Sequence, residues 1–196
     1  MALLFDPSKP VFSATSPGRM DVMGGIADYS GSLLLQMPIA ETTTVSLQLR
    51  DDHIFHLRSK VRGHRSLETT IAFSGAGTPE ESGAILRSLP GGDWAAYVIG
   101  CAVILHRELG LPITGADIDI VSTVPIGKGV SSSAALEVAT MLALMKAHGV
   151  APDRIKLPLW AQQVENRVAG AACGLMDQLS VTLGSKRKLL PLVCQP

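Results

Sequence analysis

Aromatic residues make up only 4% of the sequence, so a core has to come mostly from Leu, Val, Ile and Ala. Charge of one sign is also missing. Seventeen basic residues balance seventeen acidic ones, which argues against a nucleic-acid protein, since those carry a basic excess. The three cysteines, Cys101, Cys173 and Cys194, are an odd count without a CxxC pair. They fit a reducing compartment and exclude a disulfide framework or a zinc site. The longest apolar run, Trp94 to Leu105, falls short of the ~20 residues that cross a bilayer. The N-terminal MALLFDPSKP lacks the basic and apolar regions of a signal peptide. A cytoplasmic protein with no membrane and no nucleic-acid partner is the expectation.

What is present is a globular composition. With 46% hydrophobic and 17% charged residues over 196 positions, one domain with a real core is expected. Val11–Thr15 reads as a short strand running into a Ser16-Pro17-Gly18 turn. Leu33–Ile39 and Thr43–Leu49 read as two more strands, and His53–Arg58 as a hairpin partner of the latter. His53 and His56 fit a surface position better than a metal site. The stretch from Val61 to Pro90 reads as irregular, with one short helix. Asp93–Leu109 predicts a helix stopped by Gly110, and Ala116–Val121 alternates as a half-buried strand. Ser131–His148 and Leu159–Val168 predict two further helices. Val181, Leu183, Leu189, Leu190 and Leu192 suggest a closing pair of strands, with Lys186-Arg187-Lys188 as a solvated turn.

One stretch does not serve local stability. Val124–Val138 reads VPIGKGVSSSAALEV, with two glycines, a lysine and three serines between a strand and a helix. A helix N-terminus offers unpaired N–H groups and roughly half a unit of positive charge, and glycines let phosphate oxygens approach the backbone. Gly127, Lys128, Gly129, Ser131, Ser132 and Ser133 are therefore candidate phosphate-binding residues. A Walker A loop is excluded because Gly127-Lys128 is followed by Gly129, and a dinucleotide fingerprint because Ser132 stands where a third small residue belongs. An ordinary serine N-cap remains the plain alternative.

PxGxGVSSSAALEV resembles the second motif of the GHMP kinases, the superfamily of galactokinase, homoserine kinase, mevalonate kinase and phosphomevalonate kinase. Two further stretches share the resemblance. SPGRMDVMGGIADY, Ser16–Tyr29, is similar to the N-terminal signature of the sugar-kinase branch, and QQVENRVAGAACGLMDQ, Gln162–Gln178, to the segment carrying its catalytic aspartate. WAAYVIG from Trp94 also matches. The galactokinase signature reads GEHTDY. Here Gly25 and Ile26 replace Glu and His, while Asp28 and Tyr29 remain, a pattern that resembles the L-arabinokinase branch more than the galactokinases. Losing a polar pair disfavours D-galactose and favours a smaller sugar, because polar contacts carry most discrimination between sugars.

The resemblance implies an α+β fold, a mixed β-sheet packed against helices, and transfer of the γ-phosphoryl of ATP to the anomeric hydroxyl of a free sugar. It implies ATP and Mg²⁺ as cofactors and a sugar as the small-molecule partner. Asp177 would face the hydroxyl with Arg19 beside it, keeping it ionised. Ser132 and Glu165 would hold Mg²⁺, with the choice among neighbouring serines open. Gly25, Ile26, Asp28 and Tyr29 would line the sugar end. Each has a plain alternative: Arg19 as a surface ion pair, Glu165 as a solvated helix position, Asp177 as an N-cap. Trp94 and Tyr97 have two readings, a border to the nucleotide and helix packing, of which packing is preferred. Relatives continue into a second domain with a GxGxGG motif, and no such segment follows Val181. The chain is thus read as one N-terminal domain, 1–196. Binding without turnover, and self-association through the face a second domain would cover, stand as the rival readings.

Overall fold

The computed structural model describes residues 4–25, 30–75 and 77–194. The predicted sugar residues Ile26, Asp28 and Tyr29 lie outside the described residues. Six strands form one mixed sheet: β1 (Phe12–Met23), β2 (Leu33–Leu49), β3 (Ile54–Val61), β4 (Leu67–Ala72), β5 (Gly115–Ser122) and β6 (Leu190–Val193). Their order is β1-β2-β5-β3-β4, with β6 also on β2. Only β3 and β5 run parallel; the other pairs are antiparallel. The helices are α1 (Pro79–Ser88), α2 (Gly92–Leu109), α3 (Ser132–Ala147), α4 (Lys156–Gln163) and α5 (Met176–Leu183), with a π-helical turn at Val164–Ala169.

Alternation explains why β5 takes the centre. Its apolar residues complete rows across three strands. Leu47, Ile118 and Leu57 sit in register on β2, β5 and β3, none more than 1% exposed. Each such side chain contributes about 1.5–3 kcal/mol when fully buried. This row overturns the expected hairpin: β3 does not pair with β2, because β5 lies between them and feeds both. The alternate positions form a polar face. There Arg58 Nε donates to Asp119 at 2.6 Å and Arg50 Nη1 to Asp117 at 2.9 Å. His56 pairs with Glu68, and the His53 ring meets the Ile113 carbonyl. Helices therefore pack on the apolar face, where α2 and α3 bury Val98, Ile99, Leu105, Val138 and Met141 against the strands.

Four other expectations are corrected. The two expected strands, Leu33–Ile39 and Thr43–Leu49, are one continuous β2. Ser16-Pro17-Gly18 is not a turn but a bulge inside β1, between Pro17 and Arg19. β1 tolerates a proline there because a bulge on an outer strand leaves a ladder donor unneeded. The Val61–Pro90 stretch holds β4 as well as α1, which starts with a reciprocal cap between Thr78 and Glu81. Val181 and Leu183 belong to α5, not to a strand. α5 turns Met176 toward Leu34 and Cys194, a small second cluster that anchors it under β2 and β6. No helix among the described residues is long and apolar enough to cross a membrane.

Close packing of α1 on the π-helical turn depends on a missing side chain. A Cβ at Gly83 would stand 2.4 Å from the Val168 carbonyl oxygen, a backbone atom that cannot swing aside. Arg87 donates to the same carbonyl. Gly83→Ala is expected to destabilise the fold by about 1–3 kcal/mol, the usual cost of overpacking. Urea unfolding checks it, and an unchanged midpoint would refute this packing.

Candidate active site

The glycine loop joins β5 to α3, and its local chemistry is not that of an ordinary cap. Ser131, the N-cap, sits in the left-handed region at φ 59°. Its side chain makes no cap hydrogen bond, and its buried Oγ has no partner. The N–H groups opening α3 thus lack that acceptor and stay available to an anion. Gly127 and Gly129 adopt φ of +68° and +65°, and a Cβ on either would meet nothing within 4 Å. The glycines serve a positive-φ backbone beside open space. Gly127, Lys128 and Gly129 are all exposed.

The bulge in β1 brings the strand against this loop. A Cβ at Gly18 would stand 2.8 Å from the Val130 carbonyl oxygen, so only glycine allows the approach. The Arg19 amide then donates to that carbonyl at 3.0 Å. The guanidinium spans two elements: Nη1 donates to the Gly129 carbonyl at 2.6 Å, while Nε and Nη2 donate to Asp177 Oδ1 at 2.9 and 2.5 Å. Arg19 is buried at 7% exposure. It is not a surface ion pair. Asp177 lies inside the first turn of α5, whose N-cap is Leu175, so the capping alternative also falls.

Glu165 is carried by the π-helical turn, a local widening that recurs at functional sites. It is buried, and Gln178 Nε2 donates to its Oε2 at 2.9 Å. Burial chiefly pushes its carboxyl pKa up, against hydrogen bonds from Ser133, Cys173 and Gln178 that favour the ionised form. The hydroxyl that meets Glu165 is that of Ser133, and Ser132 lines the adjacent pocket together with it. Burial likewise raises the Cys173 thiol and the Tyr97 phenol, with Glu165 the next cause for each.

Beside the serines a pocket of about 290 Å³ opens between α2, α3 and the sheet, lined by Trp94, Tyr97, Ile126, Ser132, Ser133 and Leu136. Trp94 and Tyr97 are half-buried and face this space. At the end of β1, the Gly25 amide donates to Asp21 Oδ2 at 2.9 Å and Gln36 Nε2 to Asp21 Oδ1 at 2.7 Å. A Cβ at Gly25 would stand 2.3 Å from that Oδ2. A side chain at 25 and this Asp21 position exclude each other.

The structure therefore brings together Arg19, Asp177, Gly129, Ser133 and Glu165 from four separate stretches. Sequence reasoning missed Gln178, the Gly129 carbonyl and Asp21. It also missed Glu137, whose signal was a lone acid in an Ala-, Leu- and Met-rich helix. Gly129→Val places a β-branched residue at positive φ, at a cost of about 1–2 kcal/mol. It is expected to weaken nucleotide binding by about tenfold or more, as crowding of the phosphates adds to that strain. Calorimetric titration with ATP checks it, and unchanged affinity would remove the loop from the site.

Comparison with known proteins supports the same grouping of motifs. Residues 96–185 match the GHMP kinases N terminal domain. L-arabinokinase of Arabidopsis thaliana is 39% identical over 98% of this chain and 22% of its own length. Galactokinase of Halalkalibacterium halodurans is 33% identical over 87% of this chain and 40% of its own. Among solved structures, Lactococcus lactis galactokinase complexed with galactose superposes with a TM-score of 0.76 at 26% identity, covering 97% of this chain and 46% of that one. The Methanococcus jannaschii mevalonate kinase, at 18% identity and a TM-score of 0.65, shares the fold. The chain spans less than half the length of the curated relatives it matches. With its motifs, its fold and these relatives in agreement, the chain carries the N-terminal domain of the GHMP kinases over residues 96–185, and it is similar to L-arabinokinase and galactokinases.

Proposed function

We propose that this chain is the ATP- and sugar-binding domain of a sugar-1-kinase that moves the γ-phosphoryl of ATP to the anomeric hydroxyl of L-arabinose. One observation carries the reading: Arg19 ties the glycine-loop carbonyl of Gly129 to the Asp177 carboxylate, placing a phosphate site beside a hydroxyl-orienting acid. In this reading the N-terminus of α3 and the loop Gly127–Gly129 hold the triphosphate. The pocket walled by Trp94 and Tyr97 takes the base. Asp177 accepts a hydrogen bond from the attacking hydroxyl and takes its proton. The fixed charge of Arg19 offsets negative charge growing on the transferred group. Most of the acceleration is positioning, which this clamp supplies without rearrangement.

Glu165 and Ser133 offer a carboxylate and a hydroxyl, hard oxygen donors that fit Mg²⁺ alongside phosphate oxygens. These two residues would hold it, and the cation would neutralise the β- and γ-phosphates. For the sugar, Asp21 occupies the space where a side chain at position 25 would begin, which supports an acceptor without the larger contacts of a hexose. D-galactose is the second reading, favoured by the similarity to the Lactococcus lactis galactokinase. Comparing kcat/KM for L-arabinose and D-galactose decides between the sugars. A ratio of about ten or more for L-arabinose is expected; a preference for D-galactose would overturn the substrate assignment.

A further inference from the structure

The most anomalous group in the molecule is Glu137. It stands on the buried side of α3, one turn beyond Ser133, and is 0% exposed. Neither carboxyl oxygen has a hydrogen-bond partner. The polar side chain that faces it is Gln178, also 0% exposed, whose Nε2 is committed to Glu165 at 2.9 Å and whose Oε1 is likewise unpartnered. Three oxygen atoms on two neighbouring buried side chains thus lack a partner. A buried polar atom without a partner costs about 1–3 kcal/mol, so such a cluster calls for a physical reason.

A single proton resolves it. A carboxylate can only accept, and so can an amide oxygen. A protonated Glu137 becomes a donor, and the unpartnered Oε1 of the neighbouring Gln178 side chain can accept. The amide is then held at both ends, its oxygen by Glu137 and its Nε2 on Glu165. Burial, followed by the repulsion of Glu165, pushes the Glu137 carboxyl well above its ordinary range, against the nearby Gln178 amide, which favours the ionised form.

We propose that Glu137 is a positioning residue of the phosphoryl-transfer site, acting through the Gln178 amide to fix Glu165 against Ser133. It touches neither nucleotide nor sugar. The relay Glu137–Gln178–Glu165 runs from the core of α3 to the π-helical turn, and Gln178 is the neighbour of Asp177 on α5. One buried acid therefore sets the relation of the three elements that build the site. This inference rests on Glu165 and Ser133 being the cation-facing pair of the proposed function.

Two variants of similar volume test it. Glu137→Gln keeps a donor for Gln178 Oε1; Glu137→Met keeps the packing and loses the donor. In the 196-residue chain, the Gln178 side-chain amide is followed by ¹H–¹⁵N NMR, and binding of ATP is titrated with and without Mn²⁺. The expected result is that Glu137→Gln leaves the protected Gln178 amide signals and the Mn²⁺-dependent gain in ATP affinity within about twofold of wild type. Glu137→Met is expected to lose the amide protection and to reduce that gain by about tenfold, with metal-free ATP affinity unchanged. Equal damage in both variants would overturn the hydrogen-bond relay, since charge or shape would then be what matters. A Gln178 amide unaltered in Glu137→Met would overturn it too. If wild type shows no Mn²⁺-dependent gain at all, the cation-site reading fails, while the NMR result still decides whether Glu137 holds Gln178.

Discussion

Asp177→Asn is expected to lower sugar phosphorylation by about 10²–10⁴-fold, the span that a positioned general base contributes. Asparagine preserves the shape and still presents an oxygen to Arg19 Nε and Nη2, which now bond Asp177 Oδ1 at 2.9 and 2.5 Å. What it loses is the ability to take a proton from the attacking hydroxyl. The fold should survive, because the Asp177 side chain keeps 27% of its surface in solvent and water can share the guanidinium's remaining demand. ATP affinity should change little, since Arg19 stays tied to the Gly129 carbonyl. Steady-state kinetics with thermal unfolding and ATP titration separate the effects. A variant that turns over at the wild-type rate would sink the assigned role.

Arg19→Met is expected to act more broadly. It strips a partner from the Asp177 carboxylate and from the Gly129 carbonyl together. Removing one member of a buried pair costs about 3–5 kcal/mol. Because Asp177 is partly solvated, a loss nearer to about 2–3 kcal/mol is expected here, read as a lower denaturation midpoint. The glycine loop then keeps only the backbone bond from the Arg19 amide to Val130. ATP affinity should fall by about tenfold or more and turnover should drop further than in Asp177→Asn. Arg19→Lys does not restore it. A single ammonium cannot reach the Gly129 carbonyl and meet Asp177 in the side-on manner of the fork. Recovery of both affinity and turnover in the lysine variant would contradict the clamp.

The split between what the sequence made legible and what it hid follows physical lines. α2 and α3 were readable because their apolar repeats are long and closed by Gly110 and Gly149. β5 was readable from the alternation of Ala116, Ile118 and Ile120 with aspartates, but not its central place. Asp117 and Asp119 read as solvent positions, while the structure covers them with Arg50, just past the end of β2, and Arg58 of β3. The continuity of β2 was hidden at Ala40-Glu41-Thr42, where no apolar alternation marks a strand, and the bulge of β1 by a Pro-Gly pair that usually signals a turn. α5 was missed because Val181 and Leu183 stand two apart, the spacing of one strand face rather than of one helix face. Asp177, Arg19 and Glu165 came from matching motifs at three distant places, not from local pattern. Their contacts depend on the approach of Gly18 to Val130, which only the folded chain reveals. Gln178 and Glu137 stayed hidden for the same reason: their importance lies in burial.

The most direct measurement is ADP release from MgATP by the purified chain, with L-arabinose, D-galactose and related free sugars tested one at a time against a sugar-free control. The account predicts release above the control with L-arabinose and loss of that increment in Asp177→Asn. A folded chain that binds MgATP yet releases no more ADP with any sugar than without one would contradict it.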